Sequence, residues 1–507
     1  MRSVVPSHMK KSIKIISVVG ARPNFMKIAP FIHAIEAHNQ RCTTESPVRS
    51  ERPDKTDSEV RDTNAQPGTR NSEPGTRIEH VLVHTGQHYD ECMSKSFFEA
   101  LNIPRPDIDL EIGSGSHAEQ VGKTMIAFEK VVREHKPDWV VVVGDVNATC
   151  ACSITAKKEH VRVAHIEAGL RSFDLDMPEE INRMVTDRLS DLLFTTDDIA
   201  SDNLRKEGVD EDRIEQVGNI MIDTLEEHRA TAANLAIDEI IAGNRSVGPA
   251  SPRPAPGKTA TDQTTPQSPG TSQPGRSADL PGDAGSGKRG GNAQASGGPD
   301  VPHTTSAGLG ETAPTYATSA GLGETAPTCA TSAGLGETAP TYALMTMHRP
   351  SNVDTCEVLE PLIRFMLDEI CADMPLIWPI HPRTQKQLKA FGLWDEVTAH
   401  ERMILLRPVG YHEMLRLNIG ASLMLTDSGG LQEECCVLGT PCMTLRWNTE
   451  RPVTLREHGG ASILVGNAVD KLRKAYNELR NHPRSPRRPA LWDGKTAARI
   501  VKLLAAD

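Results

Sequence analysis

Short runs of uninterrupted apolar residues, each followed by an amphipathic stretch, recur along the chain and restrict what it can fold into. The first series comprises IKIISVV (13–19), IEHVLVHT (78–85), DWVVVVG (138–144) and VRVAHIE (161–167). Such runs lack the polar/apolar alternation of a strand with one wet face, and they suit parallel sheets covered by helices on both sides. The alternation restarts with YALMTMH (342–348), PLIWPIH (375–381), MILLRPV (403–409), SLMLTDS (422–428) and PCMTLR (441–446). Two successive β/α series predict an α/β chain of two doubly wound, Rossmann-like domains facing a cleft. Ligands then bind at the carboxyl ends of the strands.

The 507 residues would ordinarily suggest a third domain. The surplus sits elsewhere. Residues 245–342 hold 17 of the 39 Gly and 13 of the 35 Pro, with only six residues of the Val/Leu/Ile/Met/Phe/Trp set. A segment so poor in apolar side chains cannot offset its ordering entropy. Within it Thr305–Ala317, Thr318–Ala330 and Thr331–Ala343 are near-copies of one 13-residue unit, differing at Cys329 against Tyr316 and Tyr342. One Leu per unit matches no solenoid, and a tandem duplication within a loop explains it. A second polar stretch, 41–76, repeats Pro-Gly-Thr-Arg. Disordered insertions are therefore expected at 41–76 and 245–341, and a loose leader at 1–11. The folded remainder divides into an N-terminal domain at 12–219, completed by a C-terminal helix within 488–507, and a nucleotide-binding domain at 220–487.

With 56 basic against 67 acidic residues the net charge is −11, which argues against a nucleic-acid clamp. No apolar window is long enough for a membrane span, and the first twelve residues lack the apolar core of a signal peptide. Ten cysteines without paired metal spacing read as reduced, mostly buried thiols of a cytoplasmic protein. His84 and His88 have the separation of a metal pair, but Gly86 between them breaks a helix, and no metal site is expected.

The polar residues that end the strands are the candidates for chemistry. After the first strand, Gly20-Ala21-Arg22-Pro23 replaces the glycines of a dinucleotide fingerprint. Pro23 opens a helix, so Arg22 and Lys27 flank a helix N-terminus and can hold a phosphate. Asp145 and Glu167 follow the third and fourth strands, and Pro178-Glu179-Glu180 opens the next helix. Three termini thus send carboxylates toward one mouth, and their mutual repulsion separates acid from base roles. Whichever of Glu179 and Glu180 faces away complements the helix dipole. In the second series Asp427-Ser428-Gly429-Gly430 joins a strand to a helix. Its glycines let backbone N–H groups approach a diphosphate, and Glu434 is placed for the hydroxyls of a ribose. His348, His381 and Arg451 bring positive charge to the opposite wall.

Taken together, GARPNFMKIAP (20–30), TGQHYD (85–90), GD (144–145), HIEAGLRS (165–172), PEEINR (178–183), GN (218–219), HRPSNVD (348–354), HP (381–382), LTDSGGLQEE (425–434) and ERP (450–452) resemble the non-hydrolysing UDP-N-acetylglucosamine 2-epimerases, in family order across the folded remainder. The resemblance implies the GT-B arrangement, a homodimer, a UDP-sugar substrate and no cofactor. It also implies interconversion of UDP-GlcNAc and UDP-ManNAc by elimination of UDP to a 2-acetamidoglucal and re-addition. It casts Asp145, Glu167 and Glu179 as acid/base carboxylates and His348 as the group assisting at the leaving phosphate. Arg22, Lys27, Ser428, Gly429, Gly430, Glu434 and Arg451 match nucleotide contacts. Members regulated by a second substrate molecule carry Gln-His-Arg where this chain reads Gln87-His88-Tyr89, so that regulation is not expected. A hydrolysing epimerase, a retaining glycosyltransferase of the same fold and a sugar-nucleotide sensor without turnover are the competing readings.

Overall fold

The computed structural model describes residues 12–20, 22–44, 76–86, 101–246 and 342–506. The expected leader at 1–11, the Gln87-His88-Tyr89 element and nearly all of the two insertions, with the first two copies of the repeat, lie outside the described residues.

Seven parallel strands form the first sheet: β1 (Ser12–Val19), β2 (Arg77–His84), β3 (Ile108–Asp109), β4 (Trp139–Val143), β5 (Arg162–Ala168), β6 (Leu192–Thr195) and β7 (Ile214–Gln216). Their order is β3-β2-β1-β4-β5-β6-β7. The second sheet contains β8 (Ala343–Thr346), β9 (Leu376–Pro379), β10 (Met403–Leu406), β11 (Leu423–Thr426), β12 (Cys442–Thr444) and β13 (Ser462–Leu464), ordered β10-β9-β8-β11-β12-β13. Each sheet reverses its direction of winding once, between β1 and β4 in the first and between β8 and β11 in the second. At such a reversal the flanking helices diverge to opposite faces and leave a crevice beyond the strand ends. The register Ile15↔Trp139 and Thr346↔Thr426 aligns the paired strands, so the residues just past them emerge side by side.

The helices that matter for the site are α1 (Arg22–Thr44), α2 (Asn147–Lys158), α3 (Pro178–Leu189), α4 (Ile220–Ala233), α5 (Tyr411–Gly420), α6 (Gly429–Leu438) and α7 (Thr496–Ala506). All five residues of β4 are buried, as are the last five of β1. Most of the uninterrupted apolar runs are therefore inner strands, with MILLRPV, as β10, at the edge of the second sheet.

Two expected boundaries differ from the structure. Helix α1 continues to Thr44, four residues into the segment expected to be disordered from 41. Its end is tied down by Asn39, whose side chain exchanges hydrogen bonds with the backbone of Ile78 at 2.8 and 2.9 Å, and by His38, which meets the Thr76 carbonyl at 2.8 Å. Arg245 and Ser246, expected to open the second insertion, instead extend the second sheet. Arg245 forms an antiparallel bridge to Leu406, and the Ser246 N–H donates to Leu405 at 2.9 Å. In both places backbone pairing supplies order that polar composition does not reveal.

Two elements tie the sheets into one body. Helix α4 buries Ile222 and Leu225 in the core of the first sheet and packs against α5 and α6 of the second half. The chain then returns. Trp492, Ile500, Val501 and Leu504 fill the core beside α1, so α7 covers the first sheet although it ends the chain. Asp223 of α4 caps this helix, accepting from the N–H groups of Thr496 at 3.0 Å and Ala497 at 2.8 Å. The Trp492 indole N–H donates to the Thr196 carbonyl at 2.9 Å. Trp492→Ala leaves a large cavity and that carbonyl unpaired. It is expected to lower unfolding free energy by about 3–5 kcal/mol, read as a reduced urea midpoint with the slope unchanged.

Candidate active site

Lys27 lies in the second turn of α1, and its ammonium is buried with the Glu167 carboxylate, with which it forms an ion pair. Glu167 sits in β5 at a break in the pairing with β6, and its φ of 74° is left-handed, a conformation costly for a residue with a side chain. The bulge aims the carboxylate out of the strand toward the crevice instead of along the alternation. Gly144, at φ 68°, makes room for this pair: a Cβ there would stand 2.9 Å from the Lys27 Nζ and 3.6 Å from Glu167 Oε2.

Asp145 follows at the end of β4 and is held by Arg183 of α3, whose Nε and Nη2 donate to Oδ2 at 3.1 and 2.7 Å. Burial pushes the Asp145 carboxyl up, but Arg183, Lys27 and Arg451 together outweigh it and keep it below the usual carboxylate range. Glu179 and Glu180 part company at the start of α3. Glu180 is buried, accepts from the backbone N–H groups of Ser172 and Phe173 at 3.0 Å each, and pairs with Arg183. Glu179 is exposed, and its charge acts on Arg349 at the start of the second domain's first loop. Of the two, Glu179 is the one turned to the opposite wall.

From the second sheet comes Arg451, whose guanidinium meets three carboxylates. Nε donates to Glu433 at 2.7 Å, Nη1 to Glu450, and Nη2 to Glu167 at 3.2 Å across the crevice. Gly429 permits this, because a Cβ there would collide with the Arg451 guanidinium. Glu450 also accepts from Arg446 at 2.6 Å and lies 4.0 Å from Arg183, so the ion network runs without a gap from Asp145 to Arg446. Ser428 is the N-cap residue of α6, and Gly429 and Gly430 form its first turn. A further link between the two halves is the hydrogen bond from Asn448 to Asp174, 3.1 Å.

His348 and His381 stand together past β8 and β9, with ring centroids 5.5 Å apart. His348 Nδ1 lies 2.9 Å from Asp427 Oδ1, while His381 Nδ1 accepts from the Arg383 N–H at 3.1 Å. Glu434 does not join the set around Arg451. It is buried beside Tyr411 and accepts from Asn418 at 3.4 Å. Arg22 begins α1 within the described backbone, but its side chain lies outside the described residues. His84 pairs with Asp109 at 3.0 Å, and His88 lies outside the described residues.

Reading the strand ends alone missed Arg183, Asp427, Glu433 and Glu450. Signals were present. Glu180 and Arg183 have i,i+3 spacing, Asp427 directly follows an apolar strand, and Glu450-Arg451 is an adjacent pair of opposite charge.

Two parallel sheets whose winding reversals face each other across a charged crevice define the GT-B class of nucleotide-sugar enzymes. The chain belongs to the UDP-N-acetylglucosamine 2-epimerase family, which its sequence matches over residues 71–247 and 323–505. A UDP-N-acetylglucosamine 2-epimerase of Methanocaldococcus jannaschii is 35% identical over 493 residues, covering 97% of this chain and 99% of the relative. The crystal structure of the Methanocaldococcus jannaschii UDP-GlcNAc 2-epimerase in complex with UDP-GlcNAc and UDP superposes with a TM-score of 0.67 at 33% identity, over 98% of this chain and 100% of that one. A UDP-2,3-diacetamido-2,3-dideoxy-D-glucuronate 2-epimerase of Pseudomonas aeruginosa is 29% identical over 97% of this chain and 99% of its own.

The site also sets a pH dependence. Burial pushes the Glu433 carboxyl from 4.5 up to about 7, against the pull of Arg451 and with a further push from Glu167; burial likewise takes Glu434 to about 7. A carboxyl whose folded pKa exceeds its unfolded value binds more protons folded than unfolded. Stability therefore falls as pH rises from about 4.5 to 7, by up to about 1.4 kcal/mol per pH unit for each group. The nucleotide-free protein should melt at a higher temperature at pH 6 than at pH 8, and Glu433→Gln should flatten that difference.

Proposed function

We propose that this chain interconverts UDP-GlcNAc and UDP-ManNAc by eliminating UDP and re-adding it to the opposite face of a 2-acetamidoglucal, without hydrolysis. The observation that carries this reading is the meeting of Glu167 and Asp145 from one winding reversal with Arg451 and the Ser428-Gly429-Gly430 turn from the other. A carboxylate base and an anion cradle then face the same substrate, one at the sugar and the other at the diphosphate.

The chemistry follows from the surroundings. The C2 proton is weakly acidic, so its removal requires a carboxylate out of water, acting as the C1–O bond yields its electrons to the phosphate. Glu167 is such a carboxylate, with Asp145 and Glu179 completing the acid/base set on both faces of the ring. The departing diphosphate is held by Lys27, Arg22 and Arg451, by the N–H groups of Gly429 and Gly430, and by His348 with His381. Lys27 and Arg451 are both engaged by Glu167. A bound diphosphate takes over these cations and frees the Glu167 carboxylate for the sugar. Glu434 serves the ribose by turning from Asn418. The reaction needs no cofactor. We further take the active form to be a cytoplasmic homodimer; among the described residues no helix is long and apolar enough to cross a membrane.

Incubation with UDP-GlcNAc in deuterated water tests the reading. Recovered UDP-GlcNAc and newly formed UDP-ManNAc should both carry deuterium at C2. Glu167→Gln should abolish exchange by a factor of about 10³ or more, because the base itself is lost. Free ManNAc with UDP as the main products would identify the hydrolysing enzyme instead. A sugar transferred to an acceptor with no C2 exchange would identify a glycosyltransferase.

A further inference from the structure

We infer that Asp427 is a positioning residue that sets the tautomer of His348 and thereby decides which ring nitrogen meets the departing diphosphate. The inference rests on the reading of His348 as a leaving-group residue given above.

Strands β8 and β11 are neighbours at the second winding reversal, with Thr346 opposite Thr426. One residue past β11 is Asp427, and two past β8 is His348, so the register itself brings them together. Asp427 is fully buried, and its two oxygens have different surroundings. Oδ2 accepts from the backbone N–H groups of His348 and Arg349, each at 2.8 Å, and from the Asn352 amide at 3.2 Å. Three donors on one oxygen fix the plane of the carboxylate and leave Oδ1 facing the imidazole, 2.9 Å from Nδ1.

Burial raises the Asp427 carboxyl, but hydrogen bonds from the His348 ring and from the two backbone N–H groups outweigh it and hold the group below its ordinary range. An ionised carboxylate only accepts, so the proton on that side of the ring must sit on Nδ1. Nε2 is then the atom left for the crevice, and the His348 side chain is 44% exposed although its partner is fully buried. The neighbouring His381 has the opposite arrangement. Its Nδ1 accepts from the Arg383 N–H, so in the neutral ring Nε2 carries the hydrogen. One wall of the crevice thus offers a fixed donor in His381. Beside it, His348 Nε2 can accept when the ring is neutral and donate when it is charged.

Asp427→Asn separates this role from simple support. The amide oxygen can still receive the N–H groups of His348 and Arg349, while the amide nitrogen faces Nδ1 and forces the proton to the other side of the ring. The turnover number should fall by about 10² to 10⁴-fold, the range seen when an orienting carboxylate is replaced by its amide, with KM for UDP-GlcNAc changed by less than about three-fold. In a His348→Gln background the same substitution should cost no more than about a further two-fold, because there is no ring left to orient. Losses that multiply in the double variant, or an Asp427→Asn enzyme with unchanged turnover, would overturn the inference. A readout independent of the variant's folding is the ring nitrogen spectrum of the wild-type protein, with His348 assigned by difference from His348→Gln, above the titration of the ring. It should show the proton on Nδ1, and a proton on Nε2 instead would be equally fatal. A wild-type protein with no epimerisation would refute the functional reading and leave the tautomer result standing by itself.

Discussion

One guanidinium joins the two halves of the molecule. Arg451 meets carboxylates from its own domain, Glu433 and Glu450, and with its remaining edge reaches Glu167 of the other. The planar fork of an arginine suits this, since its five donors point in fixed directions and a lysine could not satisfy three partners in one plane. A buried charge of this kind contributes little net stability, but removing one partner leaves the others unpaired at a cost of about 3–5 kcal/mol. Much of the surrounding structure serves to keep the network complete. Gly429 lacks a side chain so that Arg451 can lie over it, Gly144 lacks one beside Lys27, and Glu167 accepts a strained backbone to reach both cations.

The same network connects stability with binding. Its cations neutralise buried carboxylates, and under the proposed reading a diphosphate brings a competing set of oxygens. Anion recognition on that reading is an exchange of partners inside a dry site rather than the first pairing of an exposed charge. Lys27 and Arg451 are already buried, which lessens the reorganisation that binding an anion there would otherwise require.

The architecture was legible because β1, β4, β8 and β11 are uninterrupted apolar runs, which only a doubly covered parallel sheet accommodates. The strand-end rule also led directly to Lys27, Asp145, Glu167, His348 and the Ser428-Gly429-Gly430 turn, since the last buried residue of a strand marks where the crevice begins. Glu433 and Glu450 escaped it because they belong to a helix interior and a loop, and a carboxylate there ordinarily reads as solvent-facing. Their burial depends on Arg451, which is adjacent to Glu450, 18 positions from Glu433 and 284 from Glu167. The adjacent pair is visible in the sequence, but the assembled network is not. The helix residues 41–44 and the Arg245 bridge were hidden for the same reason, because pairing with distant backbone ordered a polar sequence.

The return of the chain end to the first sheet has a mechanical meaning. The polypeptide crosses between the halves once through α4 and again on its way to α7, and Asp223 fastens the second crossing to the first. Two covalent crossings fastened to each other act as a double seam: they hold the walls in register, so that Glu167 and Arg451 stand opposite each other without their own contact having to do all of the positioning.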